Sequence, residues 1–212
     1  MKYEIQHQEE YSRGELLLRS FFGWIYILIP HMFILYFLAI WGAILAFISF
    51  FAILFTGVYP KGFFEYRVKL MRWSMRVSAR LLNLCDGYPA FGLDAEDERI
   101  TLEVPYPERI SRGNTLLKFF FGWLYIALPH IFILYFRRIG VYILTFIAWW
   151  SILLTGKYPA SFHSFVVGTM RWGTRVGIAL AYMTDDYPPF HGRPIEYESD
   201  EVILDSDMGE KE

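Results

Sequence analysis

FFGWIYILIPHMFILYFLAIWGAILAFISFFAILF, residues Phe21–Phe55, is 35 consecutive residues without one Asp, Glu, Lys or Arg. A run of about 18 apolar residues already suffices for a membrane-crossing helix. This stretch therefore sets the expected class, an all-α integral membrane protein. The rest of the chain agrees: of 212 residues, 55% are hydrophobic and 20% aromatic, against roughly 45–50% apolar in soluble domains. The net charge of -2 is segregated, basic from Lys61 to Arg80 and acidic after Arg193. That balance gives no nucleic-acid signature. The single cysteine, Cys85, excludes an intrachain disulfide and a cysteine-built zinc or iron–sulfur site. Lys2 to Arg19 is too long and too mixed in charge for a signal n-region, so the first apolar segment is expected to remain.

Shifting the chain by 99 residues superimposes it on itself. Ser12-Arg13-Gly14 falls on Ser111-Arg112-Gly113, Phe21–Trp24 on Phe120–Trp123, Pro30-His31 on Pro129-His130 and Ile34–Phe37 on Ile133–Phe136. TGVYP at Thr56–Pro60 matches TGKYP at Thr155–Pro159, Met71–Trp73 matches Met170–Trp172, and DGYPAF at Asp86–Phe91 matches DDYPPF at Asp185–Phe190. About half of the positions from Ser12 to Phe91 recur, so the chain is a direct tandem repeat. The expected division is 1–91 for repeat one, 92–98 for an acidic linker, 99–190 for repeat two and 191–212 for an acidic tail.

Each copy opens with an alternating stretch, Lys2–Gln6 and Arg99–Val104, that reads as a short cytoplasmic strand. The apolar stretch ends at Thr-Gly, with Tyr-Pro close behind, which is a helix stop: Gly takes the left-handed cap and Pro cannot continue the ladder. From about Phe63 to Leu84, Lys69, Arg72, Arg76 and Arg80 share one helical face and Val68, Met71, Met75, Ala79 and Leu82 the other. This is an amphipathic helix; its copy, from about Phe162 to Thr184, keeps Arg171 and Arg175.

A straight helix of 35 residues would be about 52 Å long, against a hydrocarbon core of about 30 Å. Two readings fit: a hairpin of two short spans, or an interfacial helix up to Pro30 followed by one span. Direct repeats return their arginines to the same cytoplasmic face only after an even number of crossings. The expectation is therefore two hairpins, Leu17–Phe37 with Ile40–Phe55 and Leu116–Phe136 with Ile139–Leu154. Arg137-Arg138 would mark the second turn, with both termini and Cys85 in the cytoplasm.

Lys69, Arg72, Arg76, Arg80, Arg171 and Arg175 are the candidate contacts to anionic lipid headgroups, worth about 1 kcal/mol per basic residue near the surface. His31 and His130 are the candidate intramembrane polar pair. Facing each other, they could ligate a haem or a metal, but a hydrogen bond to a carbonyl freed by the neighbouring proline, or to an adjacent helix, is the favoured role, and no metal or cofactor is expected. Asp86 and Asp185 read as helix-ending turn residues or as partners of an arginine in the same unit. No Gly-rich phosphate loop, Ser/His/Asp set or HExxH occurs, so no enzymatic activity is expected.

IPHMFILYF, FFAILFTGVYPKGFFEYRVKLMRWSMRV and DDYPPF resemble the bacterial membrane family known only as domain of unknown function 4389, over Ser12–Phe91 and Ser111–Phe190. The tandem form departs from the usual single copy, and DGYPAF lacks the second expected Pro. The resemblance implies a multi-pass protein of the bacterial inner membrane and no particular activity. Three function classes follow: an accessory or scaffold subunit of a larger membrane complex, which leads; a membrane-shaping hairpin wedge; and a subunit carrying a cofactor on His31 and His130. The expected partners are the bilayer, its anionic headgroups and other membrane subunits.

Overall fold

The computed structural model describes residues 1–195. Strand β1 (Lys2–Ile5) leads into a long helix α1 (Arg13–Thr56), followed by α2 (Lys61–Leu81). Strand β2 (Ile100–Glu103) then leads into α3 (Arg112–Thr155) and α4 (Ala160–Leu180), the same order at the repeat spacing.

The long helices start and stop as their sequences dictate. Ser12 and Ser111 cap the N-termini, each side-chain oxygen accepting from the backbone N–H three residues on. Gly57 and Gly156 close the C-termini at φ 74°, a conformation that a Cβ would strain.

Between these caps the expected hairpin does not form. Leu38-Ala39 and Arg137-Arg138 lie inside uninterrupted helix. All four residues are good helix formers, and nothing at either site breaks the ladder. The interruption comes earlier, before the prolines. Pro30 and Pro129 have no N–H to offer the carbonyl four residues back, and the ring crowds that carbonyl. The helix absorbs this as one π-helical turn, Trp24–Leu28 and Trp123–Ala127, with Ile29 and Leu128 donating five residues back to Trp24 and Trp123. Each helix has 44 residues, a contour of about 66 Å. By length and composition both could cross a membrane. Large apolar side chains stand exposed along both, from Leu17 to Phe55 and from Leu116 to Leu154.

Within each repeat the amphipathic helix folds back along its long helix. Tyr66 donates its hydroxyl to the Leu38 carbonyl, Arg67 reaches the Gly42 carbonyl, and Val77 packs with Ile27. Between repeats the contacts are reciprocal. The start of α1 meets the end of α3 through Tyr11 N–H to Gly156 O and Arg13 to Leu154 O. The start of α3 meets the end of α1 through Ile110 N–H to Gly57 O and Arg112 to Phe55 O.

The strands show the same symmetry. They pair antiparallel with Tyr3 opposite Leu102, its own counterpart at the repeat spacing, so a pseudo-twofold axis runs through this pair. Arg72 donates to the Leu102 carbonyl and Arg171, its counterpart, to the Tyr3 carbonyl. Each strand is thus held by the amphipathic helix of the other repeat. The expected pairing of Pro194–Glu198 with these strands falls mostly outside the described residues; Pro194 and Ile195 are not in a strand.

Candidate functional site

The motifs that recur in both copies converge on their histidines. Each histidine follows a helix proline and is fully buried. The indole N–H of Trp73 donates to His31 Nδ1 at 2.8 Å, and that of Trp172 to His130 Nδ1 at 2.9 Å. Around His31 stand the rings of Trp73, Tyr88 and Phe91, at centroid distances of 5.8, 5.2 and 4.9 Å. Around His130 stand Trp172, Tyr187 and Phe190, with Phe190 stacked at 4.0 Å. The outer rings are half exposed, Tyr88 and Phe91 both at 48%, so each histidine sits beneath a thin aromatic lid.

These bonds fix the chemistry of the imidazoles. An indole N–H can only donate, so Nδ1 carries the lone pair and the proton resides on Nε2. Neither Nε2 has a partner among the described residues. A neutral imidazole protonated at Nε2 has no lone pair there for a metal, which argues against axial ligation of a haem. Each histidine's hydrogen bond and ring contacts also come from its own repeat rather than from the other histidine. The carbonyl freed by Pro129, that of Tyr125, is taken instead by the Tyr187 hydroxyl at 2.9 Å. The Tyr of the Asp-x-Tyr-Pro motif thus repairs the defect made by the helix proline in repeat two.

The aspartates of that motif serve the other end of the unit. Asp86 accepts the backbone N–H of Ser12 at 2.7 Å and pairs with Arg19 at 2.9 Å; Asp185 accepts the N–H of Ser111 at 2.8 Å and the side-chain amide of Asn114. A carboxylate at a helix N-terminus satisfies orphan donors and complements the helix dipole.

The six basic residues expected at lipid headgroups are mostly turned inward. Arg76, 2% exposed, donates to the carbonyls of Ala90, Gly92 and Ala95. Its counterpart Arg175, also buried, donates to those of His191 and Arg193. Arg80 pairs with Asp97 at 2.7 Å, both side chains buried. Arg72 and Arg171 hold the strands, and Lys69 pairs with Asp94 at the surface. Arg76, Arg80 and Arg175 therefore lack the exposure that a headgroup contact needs. The physical reason is that the loop after each amphipathic helix folds over its basic face and presents a row of carbonyls to it. A helical pattern of arginines cannot distinguish such a lid from water or headgroups.

Sequence reasoning missed a second group of polar residues. His163 is buried, with its Nε2 unpartnered among the described residues. Burial, followed by the neighbouring His7, pushes its pKa down to about 4, and the Leu84 carbonyl opposes this. His7 stands 4.9 Å away in an edge-to-face contact, its Nε2 on the Tyr158 carbonyl at 2.7 Å. Its counterpart Tyr106 makes the matching bond to the Tyr59 carbonyl. The available signal was repeat divergence, since His163 replaces Phe64 of repeat one. Cys85 is buried and its thiol is pushed up to about 11, chiefly by burial. Among the described residues no group of three or more His, Cys, Asp or Glu could hold a metal ion.

No curated protein and no solved structure matches the chain. A family model described as Domain of unknown function (DUF4389) matches residues 17–92 and again 117–191. The two matched stretches each contain one of the proline-linked histidines, His31 or His130, with its aromatic lid and the intervening amphipathic helix; on that double match, the chain belongs to the DUF4389 family.

Proposed function

We propose that the protein is a non-enzymatic wedge seated in one face of a bacterial inner membrane, with its termini on the cytoplasmic side. The observation that carries this reading is the place of the pseudo-twofold axis. The axis relates the two tips at which the long helices meet, and it passes through the β1–β2 pair midway between them. If the tips lay on opposite sides of a bilayer, the axis would lie in the membrane plane and the sheet at its centre. The sheet carries Lys2, Glu4 and Glu103 and is bonded by Arg72 and Arg171. Charged residues at bilayer depth cost about 2.5–3.5 kcal/mol each even on the most lenient scale, so that orientation is disfavoured. With the axis along the membrane normal, both tips and the sheet share the aqueous side and both apolar faces enter the same leaflet. A broad apolar surface inserted in one leaflet is a curvature-sensitive device. Arg138, exposed midway along α3, is compatible with an interfacial position and not with a bilayer centre.

The accessory-subunit reading loses one support. A hairpin turn at Leu38-Ala39 would have left backbone groups bare within the membrane for a neighbour to cover, and the helix is continuous there.

The test is the sidedness of the two tips. Glu9 and Glu108 are exposed counterparts just before α1 and α3. In a Cys85→Ala background, single cysteines at these two positions should both resist an impermeant maleimide applied to intact cells and both react after lysis. Labelling of one from outside and the other from inside would refute the wedge. Reconstitution should turn spherical vesicles into tubules, whereas vesicles of unchanged shape together with a large native particle would favour the accessory subunit.

A further inference from the structure

Repeat two departs from repeat one at a cluster of positions that meet in space. Leu38, Phe64 and Lys69 of the first copy are replaced by Arg137, His163 and Gly168. All three replacements line one open-mouthed cavity of about 700 Å³, whose wall also includes Glu4, His7, Arg171 and Arg193. Two of the exchanges bring in groups that bind anions, and the third removes a long side chain. The chain after α4 also comes close here: a Cβ built on Gly168 would stand 3.2 Å from the Gly192 carbonyl oxygen, and one built on Gly192 only 1.9 Å from the Gly168 carbonyl oxygen.

The incoming groups are held in place but not consumed. Arg137 donates through Nε to the Thr169 hydroxyl at 3.1 Å, and its guanidinium lies 4.3 Å over the Phe165 ring. It takes no part in the ion pairs formed among the described residues. His163 is 5% exposed, and its Nε2 has no partner among the described residues. Arg171 is engaged by the carbonyls of Tyr3 and Gly192 and contributes its positive charge. Among the described residues, Glu4 is the one carboxylate on the wall.

We propose that this cavity binds a phosphate group, carried by a lipid headgroup or by a small phosphate ester, with Arg137 and His163 as its contact residues. The planar guanidinium fork suits two phosphate oxygens at once. A neutral imidazole nitrogen accepts the P–OH of a monoanion. The surrounding arginines raise the local concentration of anions. Repeat one, with Leu38 and Phe64, has no such pair, so the chain carries one site and not two. This assignment does not depend on the wedge reading.

The test uses the full chain purified in an uncharged detergent at pH 7. Three ligands are titrated calorimetrically: inorganic phosphate, glycerol 3-phosphate, and mixed micelles containing phosphatidic acid. Saturable binding at one site per chain is expected from at least one of them. Arg137→Leu and His163→Phe install the residues of repeat one. Each should weaken binding about tenfold or more, as loss of a charge-assisted hydrogen bond implies, while the unfolding temperature at pH 7 changes little. Saturation by the soluble ligands identifies a small phosphate ester; saturation only by phosphatidic acid micelles identifies a headgroup. Absence of saturable binding by all three, which needs no variant to fold, overturns the proposal. Unchanged affinity in both variants overturns it equally.

Discussion

His163 makes the stability of this protein depend on pH in a way that one substitution should remove. In the folded chain the imidazole is held neutral, its pKa pushed from 6.5 to about 4 by burial, then by His7. In the unfolded chain it titrates normally near 6.5. Between these values the unfolded state binds a proton that the folded state refuses, so acidification favours unfolding. The contribution is close to zero above pH 7, grows as pH falls through 6.5, and levels off below about 4. Linkage with these two pKa values gives a loss of about 2 kcal/mol between pH 7 and pH 5. His163→Phe installs the residue found at Phe64 and abolishes the titration. Its pH-independent cost in packing is the same at both pH values and cancels in the comparison. The assay is thermal unfolding of both proteins in the same uncharged detergent at pH 7, 6 and 5. For a chain of this size 1 kcal/mol corresponds to roughly 2–4 °C. The wild type should therefore lose about 4–8 °C more than the variant between pH 7 and pH 5. Carboxylates titrate alike in both proteins and drop out of the difference. Parallel pH dependences would refute the reasoning and show that His163 reaches water when protonated.

Four further outcomes are expected. Arg80→Ala leaves the Asp97 carboxylate buried without its partner and should cost about 3–5 kcal/mol; adding Asp97→Ala should restore most of it, as read by thermal unfolding. Gly57→Ala or Gly156→Ala forces a Cβ into φ 74° and should destabilise by about 1–2 kcal/mol, with equal melts to the wild type counting against the cap. Trp172→Phe removes the only hydrogen bond to His130 Nδ1 among the described residues and should cost about 1–3 kcal/mol; a shift of the His130 nitrogen resonances by NMR distinguishes this from lost packing. Cys85, buried with a raised pKa, should resist maleimide in the folded protein at pH 7 and react fully in denaturant. Rapid labelling of the native chain would show that the cluster around it opens.

Much of the local structure was legible because its causes are local. The apolar run of Phe21–Phe55 and its repeat made helical structure unavoidable, since no other element satisfies so much backbone inside so apolar a sequence, but the expected hairpins are single continuous helices. The Thr-Gly-x-Tyr-Pro segments marked the helix stops, and Gly57 and Gly156 take the left-handed cap. Alternation at Lys2–Gln6 and Arg99–Val104 marked the strands within a residue or two. The reading of Asp86 as partner to an arginine of its own unit is met by Arg19.

What the sequence by itself determined, then, is the inventory: two equal units, each an apolar helical stretch and an amphipathic helix, with a strand before them; that each apolar stretch is one continuous helix and not a hairpin came from the structure. The tertiary structure decided how those parts are used. A proline within an apolar run is compatible with a turn, a kink or a π-turn, and the choice falls to groups distant in sequence, such as the Tyr187 hydroxyl on the Tyr125 carbonyl. An arginine stripe is compatible with water, headgroups or protein carbonyls, and here the loops after the amphipathic helices supply the carbonyls. The tautomer of each histidine is set by a tryptophan 42 positions away. The pairing of Tyr3 with Leu102, which sets the pseudo-twofold axis, joins segments that only the folded chain brings together. Hydrophobic patterning records which face of an element avoids water; it carries no record of which neighbour covers that face, because burial is non-directional while hydrogen bonds and symmetry are not.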